Sequence, residues 1–147
     1  MLYVLNDNTW LSTMIQPHIS KDPGRILRQE REFYDRRWRT SAITPQELPP
    51  QELRRAAATT EAIPSGCGSV LDVGAEDGLV SREIYARGCR VVVLDLSHVV
   101  LRTMSVPERC CGSADQLPFP DRVFDLVLST EMLEPISCLS RILMQPS

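Results

Sequence analysis

Long hydrophobic runs and paired cysteine motifs are both absent from this chain of 147 residues. Its longest purely aliphatic run covers only residues 91–94, whereas a membrane-spanning helix needs about 18 or more apolar residues. The five cysteines include no C-x-x-C pair, and the N-terminus has no basic segment followed by an apolar stretch. We therefore expect a cytoplasmic protein with no membrane contact, no disulfide framework and no metal site.

Aromatic residues are scarce, at 5% of the chain, and the net charge is only −3. Apolar residues nevertheless reach 43%, which is typical of a domain that buries a core. The acidic excess lies in residues 61–147, which hold 12 acidic and 7 basic side chains. Because nucleic-acid binding requires a positive surface, we expect no nucleic-acid partner.

Residues 1–65 have a helical pattern. Leu27, Tyr34 and Trp38 recur at helical spacing, with arginine and glutamate on the other faces, which predicts an amphipathic helix with an aromatic inner stripe. Residues 51–62 are rich in strong helix formers and predict a second helix after several prolines. The sequence therefore indicates a partly helical N-terminal extension over residues 1–65.

Residues 66–147 alternate short aliphatic runs with helical segments, and each run is rich in apolar residues, as buried parallel strands are. The four runs lie at residues 69–73, 90–95, 109–112 and 124–129. Strands that alternate with helices form an open parallel sheet with helices on its faces. The sequence therefore predicts an α/β fold with strand order 3-2-1-4, preceded by the helical extension.

A glycine turn follows the first predicted strand. Residues 70–78 read VLDVGAEDG, a hydrophobic strand that enters a turn with Gly74 and Gly78 and then a helix. Such a turn binds ligands in open α/β sheets, because glycine lets the backbone approach them closely. The second predicted strand ends at Asp95, from where a carboxylate can accept hydrogen bonds from both hydroxyls of an adenosine ribose.

The charges around this turn discriminate between two classes of nucleotide ligand. Asp72, Glu76 and Asp77 place three carboxylates in or beside the turn. In a dinucleotide-binding protein this turn faces a pyrophosphate, which the carboxylates would repel. S-adenosylmethionine carries an ammonium and a sulfonium but no phosphate, so it fits better, and a dinucleotide stays open as the alternative.

A third motif carries a resemblance to a known family. Residues 114–127 read ADQLPFPDRVFDLV and match the signature A-D-x-L-P-F-x-D-x-x-F-D-x-V. With the glycine turn and Asp95, this stretch resembles the class I S-adenosylmethionine-dependent methyltransferases, in particular the small-molecule methyltransferase group. The resemblance covers about residues 69–134. It implies a Rossmann-like sheet, S-adenosylmethionine as the cofactor and methyl transfer to a small-molecule acceptor.

The resemblance also implies a cofactor site. Its residues are Asp72, Gly74, Gly78, Asp95, Ala114 and Asp115. By this likeness Asp72 and Gly74 contact the methionine moiety, Asp95 holds the ribose, and Ala114 and Asp115 line the adenine. The chain departs from the family pattern at Glu76, where the family has glycine.

Candidate catalytic residues follow the fourth predicted strand. Glu131 and Glu134 lie in the loop that the resemblance places beside the methyl group of the cofactor. Methyl transfer from a sulfonium depends mostly on proximity and alignment, so a dedicated base is optional. Many family members carry histidine where this chain has Pro135, which removes one possible proton acceptor.

The family fold usually continues beyond the point where this sequence ends, so we expect a sheet that is C-terminally truncated after the fourth strand. An exposed fourth strand would pair with another chain, which predicts self-association as a homo-oligomer. The alternative to an active methyltransferase is therefore an inactive fragment that serves as a binding or oligomerisation module.

Overall fold

Four parallel strands and four helices make up the part of the chain that the structure, a computed structural model, describes: residues 23–40, 49–64 and 66–129. The elements are α1 (Pro23–Thr40), α2 (Pro50–Glu61), β1 (Ser69–Val73), α3 (Leu79–Ala86), β2 (Arg90–Asp95), α4 (His98–Thr103), β3 (Glu108–Cys111) and β4 (Leu126–Leu128). No helix among these residues is long and apolar enough to cross a membrane.

The strands form one parallel sheet in the order β3-β2-β1-β4. The predicted α/β class and strand order are therefore confirmed. Because β1 and β2 lie in the middle of the sheet, both their faces are covered, which is why their interior residues are aliphatic apart from Asp72. From β1 the chain adds β2 and then β3 on one side, and it returns to add β4 on the other side of β1. The order in which strands are added therefore reverses at β1.

Successive residues of each strand point to opposite faces and build two apolar clusters. On one face Val91 and Val93 pack with Ile84 of α3 and Val100 of α4. On the other face Val92 and Leu94 belong to a second cluster, which the loop residues Leu117 and Phe119 cover. The helices and the signature loop of residues 112–124 thus lie on opposite sides of the sheet.

The N-terminal helices pack on the helical face of the sheet. α1 contacts α4, and α2 contacts α3, where the Arg87 guanidinium donates a hydrogen bond of 2.8 Å to the Thr60 carbonyl. Trp38 packs against the first apolar cluster, as its position in the predicted inner stripe requires. The prediction is wrong for Tyr34, which is 40% exposed, and its aromatic neighbour Phe33 is 56% exposed.

Among the side chains of α1 that the structure describes, those that turn inward are instead half-buried at a spacing of three or four residues. They are Leu27, Arg31, Asp35 and Trp38. Two of the four are charged, so the inner face of α1 is a mixed polar and apolar stripe. Hydrophobic periodicity identified its two apolar ends and overlooked the charged middle.

The strand β4 is shorter than the predicted run at residues 124–129. Asp125, just before it, uses its side chain to bind β1: its Oδ2 accepts hydrogen bonds from the Ser69 N–H at 2.8 Å and the Ser69 hydroxyl at 2.7 Å. These bonds lower the pKa of Asp125. β4 lies at one edge of the described sheet, and the predicted truncation after it falls in residues 130–147, outside the described part.

Trp38→Ala tests whether α1 folds together with the sheet. Because the indole packs on the first apolar cluster, we expect the free energy of unfolding to fall by about 1 to 3 kcal/mol, less than the roughly 3–5 kcal/mol of a fully buried tryptophan. Phe33→Ala, five residues earlier on the same helix and largely exposed, changes it by less than about 0.5 kcal/mol. Chemical denaturation measures both. Equal effects of the two variants would show that α1 does not belong to the cooperative core.

Candidate cofactor site

The loops that follow β1, β2 and β3 meet at one edge of the sheet. The Gly74 N–H donates a hydrogen bond of 2.8 Å to the Leu94 carbonyl, and the Gly112 N–H donates one of 3.0 Å to the Asp95 carbonyl. The carboxyl ends of the three strands are therefore held side by side. Open α/β sheets bind their ligands at the carboxyl ends of the strands, where the strand order reverses, and this edge beside β1 is such a place.

The turn after β1 alternates left-handed backbone positions. Gly74 has φ of 70° and Gly78 has φ of 72°, which glycine adopts without strain. A Cβ on Gly78 would also lie only 3.1 Å from Cγ of Met104, so a side chain there would require Met104 to shift by a few tenths of an ångström. Between the two glycines Glu76 has φ of 49°, a conformation that favours glycine. The departure from the family pattern therefore falls at a position where the backbone itself favours glycine.

Asp72 is a buried carboxylate beneath this turn, with 1% of its surface exposed. Its Oδ2 accepts a hydrogen bond of 2.5 Å from the Ser81 hydroxyl, and its Oδ1 has no hydrogen-bond partner among the described residues. Burial raises the pKa of Asp72 to about 6, and the negative charges of Asp95 and Asp77 act in the same direction. An unpartnered oxygen on a buried acid is costly unless a cation compensates it.

Asp95 ends β2 and is half-buried at the same edge. Its Oδ1 accepts a hydrogen bond of 2.8 Å from the Ser97 N–H, which orients the carboxylate. Burial raises the pKa of Asp95, and the negative charge of Asp35 adds to that effect. A carboxylate can accept about four hydrogen bonds, so Asp95 has capacity for further donors such as ribose hydroxyls.

Asp35 of α1 reaches this edge and was not identified from the sequence. Its Oδ1 accepts hydrogen bonds from the Ser97 hydroxyl at 2.6 Å and the Val99 N–H at 3.4 Å. Burial alone would raise the pKa of Asp35, but these two hydrogen bonds, together with the electrostatic effects of Arg39 and His98, outweigh it and the pKa is lowered. The signal available in the sequence was its place between Leu27 and Trp38 on one helical face.

Arg31, one helical turn before Asp35, is a second functional candidate that the sequence did not reveal. Its Nε is buried and has no hydrogen-bond partner among the described residues. Its positive charge acts on Cys111 at the end of β3, where it opposes the rise in the pKa of that thiol that burial causes. α1 therefore brings both a cation and an anion to the edge where β2 and β3 end.

Ala114 and Asp115 follow β3 in the signature loop. Ala114 is half-buried and packs against the second apolar cluster, beside Leu117. Asp115 is exposed, and its N–H donates a hydrogen bond of 3.2 Å to the Ser113 hydroxyl. Its carboxylate is therefore accessible to a ligand at this edge, and its role toward adenine stays a prediction.

The six predicted cofactor residues thus lie in the loops and strand ends of β1, β2 and β3. Asp72, Gly74 and Gly78 belong to β1 and its turn, Asp95 ends β2, and Ala114 and Asp115 follow β3. The candidate bases Glu131 and Glu134, like Pro135, lie outside the described residues.

Comparison with known proteins identifies the family. A sequence model described as "Methyltransferase domain" matches residues 71–145, just over half of the chain. The chain belongs to this methyltransferase family. Members are class I methyltransferases with S-adenosyl-L-methionine as the methyl donor, so the resemblance and the cofactor inferred from the sequence are both confirmed. No curated protein matches the chain.

Glu76→Gly tests the strain in the methyltransferase turn. We expect the variant to gain about 1 kcal/mol in free energy of unfolding, because glycine adopts a positive φ without strain. It should also bind S-adenosylhomocysteine more tightly, since the side chain at the middle of the turn is removed. Arg122→Gly is the matched control: its φ is 61°, but it lies in the signature loop at residues 121–122. A gain in stability without a gain in affinity is expected there. A Glu76→Gly variant that is less stable than the wild type would contradict the claim that the backbone at Glu76 is strained.

Proposed function

We propose that this methyltransferase transfers the methyl group of S-adenosylmethionine to a small-molecule acceptor. The observation that carries the proposal is the buried Asp72 carboxylate, whose Oδ1 is unpartnered among the described residues. With Asp77 and Asp95 it makes the carboxyl edge of the sheet negative. A negative edge attracts a cofactor with an ammonium and a sulfonium and repels the phosphates of a dinucleotide.

The residues present fit the cofactor part by part. The turn with Gly74 and Gly78 would hold the methionine moiety, and Asp72 would act on its ammonium electrostatically from beneath that turn. Asp95 would accept hydrogen bonds from the ribose hydroxyls, while Ala114 and Asp115 would line the adenine. When bound, the cofactor supplies an electrophilic methyl group on its sulfonium.

Positioning is the main catalytic contribution that we propose for the protein. Methyl transfer needs the acceptor aligned with the methyl group, and orientation alone supplies a large part of the rate. We propose Glu131 and Glu134 as general bases that take the proton of the acceptor. The signature at residues 114–127 supports a small-molecule acceptor, because it resembles that group of methyltransferases. The acidic balance of residues 61–147 supports the absence of a nucleic-acid partner.

The proposal has two further parts, the location of the protein in the cell and its oligomeric state. We propose a cytoplasmic location, which the free thiols of Cys67, Cys89, Cys110 and Cys111 support. Self-association as a homo-oligomer rests on β4, which lies at one edge of the described sheet. An edge strand offers unpaired backbone groups to a second chain.

Cofactor affinity should depend on pH through Asp72. Its pKa of about 6 means that the carboxyl is largely protonated in the free protein near pH 5 and ionised near pH 7. Because a cationic cofactor favours the ionised form, we expect S-adenosylmethionine to bind about tenfold more tightly at pH 7 than at pH 5. Isothermal titration calorimetry measures this dependence.

Asp72→Asn should bind more weakly and remove most of the pH dependence, whereas Asp121→Asn, with the same change of charge on an exposed turn, should leave both unchanged. The raised pKa of Asp72 also predicts how the free energy of unfolding depends on pH. Without cofactor, this free energy should fall as pH rises from about 4 to about 6, because the folded state binds the proton of Asp72 more tightly than the unfolded state does. A flat pH profile in the wild-type chain would contradict the role of Asp72.

Methyl transfer itself is tested with radiolabelled S-adenosylmethionine and fractionated cell extract as the source of acceptors. We expect label in the small-molecule fraction, lost in Asp95→Ala and retained in Asp121→Asn. Glu131→Gln and Glu134→Gln should lower kcat by up to about 100-fold with cofactor affinity unchanged. Label in RNA or protein alone would overturn the acceptor class, and cofactor binding without any transfer would overturn the proposed activity.

A further inference from the structure

Ser97 joins three elements at the cofactor edge of the sheet. Its N–H donates a hydrogen bond of 2.8 Å to Oδ1 of Asp95, at the end of β2. Its hydroxyl donates one of 2.6 Å to Oδ1 of Asp35, on α1. The same Ser97 oxygen caps α4 by accepting from the Val99 N–H at 3.2 Å and the Val100 N–H at 3.4 Å. Ser97 is fully buried, so these bonds are shielded from water.

We infer that Asp35 is a positioning residue for the cofactor, which docks α1 on the start of α4 and, through Ser97, holds the Asp95 carboxylate in the orientation that receives the ribose. The inference rests on the proposed function, because it takes the ribose role of Asp95 from there. In this role Asp35 acts through Ser97 rather than on the cofactor itself.

The local structure shows why a distant carboxylate is needed. α4 has only six residues, so its own backbone hydrogen bonds give it little stability. The turn between Asp95 and Ser97 is tied by hydrogen bonds from backbone N–H groups to the Asp95 carboxylate, one of them from Ser97 itself at 2.8 Å. Asp35 holds the Ser97 side of that turn together with the start of α4, since it accepts from the Ser97 hydroxyl and from the Val99 N–H.

The rest of α1 keeps Asp35 in place. Trp38, three residues later on the same face, packs on the first apolar cluster. The carboxylates of Asp35 and Asp95 also interact electrostatically, because the negative charge of Asp35 adds to the rise in the pKa of Asp95 that burial causes. A change at Asp35 is therefore transmitted to Asp95 through one shared serine.

A comparison of two ligands separates this role from a general loss of structure. Binding is measured by calorimetry for S-adenosylhomocysteine and for its 2′-deoxy analogue. In the wild-type chain, removal of the 2′-hydroxyl should weaken binding about tenfold, as the loss of a hydrogen bond to a carboxylate does. In Asp35→Ala this ratio should fall to about two- or threefold, because a misoriented Asp95 no longer distinguishes the two ligands.

Three variants complete the test. Asp35→Asn keeps an oxygen that accepts from Ser97, so its ratio should stay near that of the wild type. Ser97→Ala removes the same hydrogen bond from the other side, and its ratio should fall as in Asp35→Ala. Glu32→Ala, an exposed carboxylate on the same helix, should change neither affinity.

The outcomes that contradict the inference differ from those that contradict the proposed function. If Asp35→Ala weakens both ligands equally, or neither, Asp35 has only a structural role or none, and the inference is wrong. Equal binding of both ligands by the wild-type chain would overturn the ribose role of Asp95, and the inference with it. A fall in the ratio for both Asp35→Ala and Ser97→Ala, with rescue in Asp35→Asn, supports it.

Discussion

Parallel pairing of β1 with both β2 and β4 is the interaction on which the rest of the structure depends. Because every strand runs in the same direction, the loops that leave them open on one edge, and the backbone bond from Gly74 to the Leu94 carbonyl fixes the first two loops against each other. The helices and the signature loop then cover the two faces, since a sheet with aliphatic residues on both sides is stable only when both are buried. The cofactor edge is the part of the sheet that this packing leaves for polar groups.

The chemistry of that edge opposes its stability. Asp72 is buried with an oxygen that has no partner among the described residues, and Asp77 and Asp95 add negative charge around it. Apolar side chains of similar size would cost the fold less. Such a site is typical of a functional one, because the charge that destabilises the free protein is compensated when a cation binds. The raised pKa of Asp72 is the measurable sign of this conflict.

Much of the fold was predictable from the sequence, because its signals are local. Short, mostly aliphatic runs predicted β1 and β2 with the bounds that the structure gives, and the glycine turn predicted the edge where the site lies. The start of β4 was less predictable, since Asp125 just before it pairs with Ser69, a contact across 56 residues of sequence. Hydrophobic periodicity could not identify Asp35 and Arg31 as inward-facing, because charged residues on a helix usually face water. The candidate bases at Glu131 and Glu134 stay predictions.

The charged middle of the α1 stripe connects the N-terminal helix to the site in physical terms. A helix that only covered a core would place apolar side chains between Leu27 and Trp38, whereas this one places Arg31 and Asp35 there. Each of the two interacts with a residue at the cofactor edge. The charge of Arg31 acts on Cys111 at the end of β3, and Asp35 accepts a hydrogen bond from the hydroxyl of Ser97. Under our inference, the docking of α1 and the orientation of Asp95 are coupled. By thermodynamic linkage, the effect of α1 docking on cofactor binding equals the effect of cofactor binding on α1 docking. A cofactor that binds better when α1 is docked must itself favour the docked helix, so α1 would be part of the cofactor site as well as of its scaffold.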